Sequence, residues 1–206
     1  MAKHQAPVSS LAQFLPEGTF RRIAPYFRDY TIHLTVTHDR ASVQGDYRHP
    51  TAGHTAHRIS INGTLNPYSF LITLLHELAH MLVWVQYRNR VQPHGAEWKA
   101  IFSNLLSGYM RKGIFPENVE EALRKSIQNI KAATCTDPEL YKALKQHDPR
   151  RRYMRLVEEV PLNEHFQTKD GRVFQKIEKL RTRFRCREIE TGHLYLFPAI
   201  AEVKVV

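Results

Sequence analysis

The chain has 206 residues and a formal net charge of +10, with 30 Lys and Arg against 20 Asp and Glu. That length accommodates one good-sized core or one core plus a small appendage, and no stretch of 18 uncharged apolar residues reads as a membrane span. Two cysteines, Cys135 and Cys186, are too few for a disulfide framework and suit a reducing compartment. No signal-like segment is read in residues 1–30, so a cytoplasmic protein is expected, with nucleoid association open. In chain order, residues 9–27 read as a short first helix interrupted by Pro16. Tyr30–Thr37 alternates, with Ile32, Leu34 and Val36 on one face, as a half-buried strand does. Ser42–Arg48 reads as a second strand, where Gly45 permits a bend or a close backbone approach. His57–Asn62 reads as a third, with Ile59 and Ile61 inward.

A long apolar helix follows, opened by Asn66 as N-cap and Pro67 at the first helical position. It runs through Tyr87 and contains His76-Glu77-Leu78-Ala79-His80. Histidines at i and i+4 share a helix face, so their imidazoles can converge on one ion while Glu77 leans over it. HExxH on a helix is the pattern of zinc peptidases, with the Glu as general base. The bland alternative is a pair of hydrogen-bonded core histidines beside a solvated Glu77. A polar loop, Arg88–Pro93, then leads to His94, thirteen residues beyond His80 by intervening count. Three protein ligands and one open position make a catalytic zinc site, and His94 is the favoured third. Val83 and Gln86 stand where the metzincin pattern needs Gly and His. Glu97 is either a further oxygen ligand or a first-turn carboxylate suited to the helix dipole. Trp98 reads as core.

Glu97–Leu106 is helical. Residues 117–131 and 138–147 read as two polar helices, and the run from Asp148 to Arg152 as a boundary. Short strands are expected at 153–160, 172–174, 180–189 and 193–197, with hairpin turns at Asp170-Gly171 and Thr191-Gly192. In a strand, Lys179, Arg181, Arg183, Arg185 and Arg187 share one face. Such a face suits phosphate, with Tyr153, Phe174, Tyr195 and Phe197 either stacking bases or filling a small core. It also suits a solvated edge kept from aggregating by charge. Arg150, Arg151 and Arg152 extend the patch or form a linker. His33, His38, His49, His54 and His57 read as surface or core residues. One of them, Tyr47 or Tyr68 is a candidate to stabilise an oxyanion.

His76–His80 and His94-Gly95-Ala96-Glu97-Trp98, preceded by Ile59–Asn62 and Leu65-Asn66-Pro67, resemble the SprT-like family of zinc metallopeptidases. Its eukaryotic relatives include the Spartan proteases, which cut proteins crosslinked to DNA. The resemblance covers residues 10–110 and touches the tail weakly. It implies that His76, His80 and His94 bind zinc and that Glu77 is catalytic. Many bacterial members end in a zinc ribbon with two cysteine pairs. This chain has no CxxC, so one catalytic ion is expected and a ribbon-like tail without metal. The expectation is therefore an α+β chain in three parts. Residues 1–110 form a zincin-like metallopeptidase domain, a small sheet plus the HExxH helix. Residues 111–150 form a helical connector, and 151–206 a small basic β subdomain. The expected function is zinc-dependent hydrolysis of peptide bonds, in proteins associated with or crosslinked to DNA. The expected partners are protein substrates and DNA, without a membrane. The alternative is a zinc-containing nucleic-acid-binding or transcription-associated factor with little peptidase activity. A peptidase with protein-only partners is a third.

Overall fold

The computed structural model describes residues 7–37, 44–128, 137–148 and 154–206. Outside the described residues lie His4, His38, Ser42, Val43, the helix expectation at 129–131, Cys135, Arg150, Arg151, Arg152 and Tyr153. The fold is α+β, with helices and two sheets. The chain divides into two compact units, residues 1–147 and 148–206.

The expected interrupted helix at 9–27 is instead two elements, a 3-10 helix at Val8–Phe14 and α1 at Phe20–Asp29. Pro16 brings no backbone donor, and Gly18 adopts φ 76, so the chain cannot continue as one helix. Three strands follow: β1 (Ile32–Thr37), β2 (Gly45–Arg48) and β3 (His57–Asn62). β3 is central. It pairs in parallel with β1, Leu34 opposite Ile59, and antiparallel with β2, Tyr47 opposite Ile59. β2 is therefore an edge strand.

Helix α2 (Pro67–Tyr87) starts where Asn66 accepts a hydrogen bond from the Ser69 amide and Pro67 takes the first turn. It is apolar and long enough to cross a membrane by length and composition, yet 67% of that window is buried in the folded protein. Phe70, Leu71, Ile72, Leu74, Leu75 and Leu78 are fully buried and pack with Ile59 and Ile61 of β3. α3 (Ala96–Met110) adds Trp98, Phe102 and Leu106 to the same core. The segment between the expected domains supplies α4 (Glu117–Gln128) and α5 (Pro138–Lys145), whose Val119, Leu123, Leu140 and Leu144 join that core too. The Asn66 side-chain amide also donates to the Leu144 carbonyl, which ties α5 to the start of α2.

The second unit is a six-stranded sheet. Its strands are β4 (Arg155–Leu156), β5 (His165–Gln167), β6 (Val173–Lys179), β7 (Arg183–Glu188), β8 (Leu194–Pro198) and β9 (Glu202–Val205), in the order β4-β9-β5-β6-β7-β8. Phe166, Phe174, Phe184, Cys186 and Val203 fill its core, with Tyr195 and Phe197 against them. Of the aromatic residues considered for base stacking, Phe174, Tyr195 and Phe197 thus pack into or against this core. The hairpins turn at Gly171 (φ 90) and Gly192 (φ 74), where only glycine is unstrained. Strand 180–189 is shorter than expected. Leu180 and Arg183 close a turn by a 2.8 Å hydrogen bond, so Lys179 ends β6 and Arg181 lies between strands.

Candidate metal centre

His76 and His80 project from successive turns of α2, and the loop after it returns His94 to them. The three Nε2 atoms lie 2.9–3.2 Å apart. Among the described residues these are the group of ligand-type side chains that converges. His94 is held at φ 59, left-handed backbone for a residue with a Cβ. Such strain, about 1–3 kcal/mol, persists only where the surroundings impose it. Here the Gly95 amide bonds the Gln92 carbonyl at 3.0 Å and Gly95 opens α3.

Trp98 is the floor of the group. It is fully buried, with ring centroids 4.6, 5.3 and 4.7 Å from His76, His80 and His94. Phe102 stacks beneath it at 4.8 Å. Glu97 sits in the first turn of α3, outside the converging group.

Burial lowers the pKa of His76 to about 3, helped by the charges of His80 and His94. Burial and His94 lower that of His80 to about 4, and burial lowers that of His94. All three are therefore neutral imidazoles at neutral pH, the form that ligates a metal. Three Nε2 atoms of neutral rings cannot all satisfy one another, since each is either an N–H or a lone pair and two of the three must be alike. A cation among them resolves this. Bonds of about 2.0–2.1 Å in a tetrahedral zinc site separate nitrogens by ~3.3 Å, close to the spacing found here. The donor set fits one metal ion.

Glu77 follows His76 and is 5% exposed. It shares with the histidines a cleft of about 410 Å³, also lined by Gly45, Asp46, Tyr47, Trp84 and Arg88. Gly45 of β2 makes the room for it. A Cβ there would stand 2.5 Å from Glu77 Oε1 and 2.6 Å from Thr73 Cγ2, closer than atoms can pack. Of the two tyrosines considered for the site, Tyr47 lines the cleft, its ring parallel to that of His80 within 3° at 6.3 Å. Its hydroxyl is 2.9 Å from His57 Nδ1. Burial raises the Tyr47 pKa, so it is a neutral phenol. Tyr68 packs instead against Phe115 and His147. His49 stacks on Trp84, and His54 closes a short bridge with Thr51. The roles of Trp84 and Arg88 in lining the cleft were missed in the sequence. The signal was there, since they continue the spacing of His76 and His80 by four residues each.

The basic residues belong to the second unit. Arg183, Arg185 and Arg187 share a face of β7. Lys179 registers opposite Phe184 on the neighbouring strand, so the five cations do not lie on one strand. Arg185 is paired with Glu178, while Arg183 and Arg187 are exposed.

Residues 21–116 match the family model described as the SprT-like family. The chain is 42% identical over 105 residues to Protein SprT of Escherichia coli K12, across 48% of this chain and 63% of that protein. It is 34% identical over 110 residues to Protein SprT of Klebsiella pneumoniae strain 342, across 52% of this chain and 60% of that protein. The chain thus spans about three fifths of the length of the curated relatives it matches. No solved structure matches. Residues 21–116, the segment that carries the three histidines, Glu77 and their cleft, are thus what this chain shares with the SprT-like family model.

Proposed function

We propose that this chain is a zinc-dependent peptidase of zincin-like build, acting on proteins associated with or crosslinked to DNA. One observation carries the reading: a buried carboxylate, Glu77, shares a cleft with three neutral histidines that converge on a single point. A structural metal site has no use for that carboxylate. When bound, zinc supplies Lewis acidity, polarising a carbonyl and acidifying a water molecule.

The chain's own groups do the rest. His76, His80 and His94 hold the ion as neutral donors. Glu77 accepts a proton from the attacking water and returns it to the leaving amine. β2, as an edge strand, offers its backbone to an extended substrate beside the cleft. Tyr47 stands in the cleft wall as a neutral hydrogen-bonding group. The basic composition and the exposed Arg183 and Arg187 support nucleic acid as the recruiting partner.

Those same arginines favour a second reading, a zinc-holding nucleic-acid-binding factor with little peptidase activity. Replacing Glu77 by Gln separates the two. A general base contributes about 10²–10⁴-fold to rate, so Glu77→Gln is expected to lower peptidase activity by that factor with zinc content unchanged. Digestion of a DNA-bound protein such as histone, followed with and without DNA, is the measurement. Undiminished proteolysis in Glu77→Gln excludes the general-base role. No proteolysis by the zinc-loaded wild type, with or without DNA, favours the binding factor.

A further inference from the structure

The helix face that carries the histidines does not end with them. His76, His80, Trp84 and Arg88 recur every fourth residue and form one ridge along α2 and its C-cap. Trp84 and Arg88 line the same cleft as the histidines and Glu77. The Arg88 guanidinium carbon lies 3.9 Å from the Trp84 ring centroid, a close cation–π contact. Trp84 is itself gripped. The His49 ring stacks on it at 5.5 Å and 7°, and His57 meets it edge-on at 5.3 Å.

The Arg88 backbone is fixed as well, at φ 57 and ψ −133, a left-handed conformation that a residue with a Cβ seldom adopts. The guanidinium therefore rests on a rigid platform instead of sweeping through solvent. Its field reaches His57, the ring edge-on to Trp84, where, after burial, it is the next cause holding down the His57 pKa. Among the described residues Arg88 has no ion pair. Of the acids lining the cleft, Asp46 is bonded to Arg48 at 2.9 Å, and Glu77 is buried.

One helical turn separates His80 from Trp84, ~5–6 Å along the axis. An extended chain covers that distance in about two residues.

We propose that Arg88, propped on Trp84, is the subsite for a carboxylate side chain of a peptide substrate, about two residues from the scissile bond. The proposal rests on the peptidase reading. A guanidinium binds phosphate as readily as carboxylate, but the group that must pass beside the histidines is a peptide backbone. An acidic side chain of that same peptide is the anion nearest to hand.

The test uses the zinc-loaded 206-residue chain and fluorescein-labelled decapeptides of Ala and Gln. A single Glu is walked from position to position, each peptide matched to its Gln counterpart and to a Lys counterpart. Glu two residues from the cleaved bond is expected to raise kcat/KM about tenfold over Gln. Arg88→Gln is expected to abolish that preference, and Arg88→Glu to turn it towards Lys. A reversal of preference cannot come from a damaged fold.

The same peptides titrated onto Glu77→Gln report affinity without cleavage. A wild type that cleaves none of them overturns the peptidase reading, while the Glu-over-Gln affinity ratio still decides the subsite. Equal efficiency and affinity for Glu and Gln peptides in wild type overturn the subsite. So does an Arg88→Gln variant whose one defect is weaker binding of a single-stranded oligonucleotide, which assigns the arginine to phosphate.

Discussion

Gly45 and Glu77 meet with no space between strand and helix, and the contact gives Gly45 a role that its own chemistry lacks. A Cβ at position 45 would overlap the Glu77 carboxylate and the Thr73 methyl. A misplacement of about 1 Å in a reacting group costs ~100-fold in rate. Gly45→Ala is therefore expected to lower kcat by about that factor while zinc content and KM stay near wild type. Parallel zinc analysis and steady-state kinetics check it, and a variant with wild-type kcat shows that the carboxylate has room to spare. The sequence hinted at this, because a glycine inside a strand marks a bend or a close approach. It could not name Glu77 as the neighbour, since that contact spans 32 residues of chain.

The histidines make a second prediction at this scale. The folded-state values of His76 and His80, about 3 and about 4, lie below the ordinary 6.5. Above pH 6.5 both folded and unfolded chains leave these rings neutral. Below it the unfolded chain takes up protons that the folded chain refuses, so the metal-free protein loses stability as pH falls from about 6.5 towards 3. Urea midpoints of the metal-free protein at pH 7.5, 6 and 5 are expected to decline in that order. A midpoint that rises on acidification contradicts the burial of neutral rings.

Elements differ in how openly the sequence announces them. α2 was plain: Asn66 and Pro67 mark its start, and a run of buried Leu and Ile fills its body. The i, i+4 histidines on it were plain for the same reason, since helix geometry alone sets their convergence. β6 was not. It was expected at 172–174, but runs through Val173–Lys179, because Lys176 occupies an inward position that alternation reserves for an apolar side chain. The buried Lys176 ammonium is satisfied by the Glu158 and Val160 carbonyls and lies over the Phe184 ring. β5 and β9 were hidden too. Their pairing joins residues 166 and 167 to residues 205 and 204, and nothing local records a partner so distant.

The same sheet corrects the basic stripe, because the turn at Leu180–Arg183 removes Lys179 and Arg181 from the face of β7. What remains exposed there is Arg183 and Arg187. If these two contact phosphates, the double variant Arg183→Ala/Arg187→Ala is expected to reduce the slope of log affinity for duplex DNA against log salt by ~2. Fluorescence anisotropy across salt concentrations measures it. An unchanged slope leaves the pair as a solvated face.

For the molecule as a whole, two cores of different character underlie the account. The first, in residues 1–147, is built around α2 and gathers helices from both sides of it in sequence, α4 and α5 included. Residues 111–147 thereby contribute buried side chains to the unit that carries the metal centre. The second, in residues 148–206, is a small aromatic core under an antiparallel sheet. The division between them falls where the sequence changes from helical to strand-like patterning, beside Pro149 and the three arginines after it. The change from helical to strand-like patterning was legible; that residues 111–147, read as a connector, pack into the first core was not, nor was the strand order of the second.

The central claim is that His76, His80 and His94 hold one zinc ion beside Glu77. Zinc stoichiometry by elemental analysis tests it most directly, on wild type, Glu77→Gln and His94→Ala after dialysis against excess zinc and then metal-free buffer. One zinc per chain is predicted in wild type and in Glu77→Gln, with most of it lost in His94→Ala. A wild type that retains no zinc, or a His94→Ala variant that retains all of it, contradicts the account.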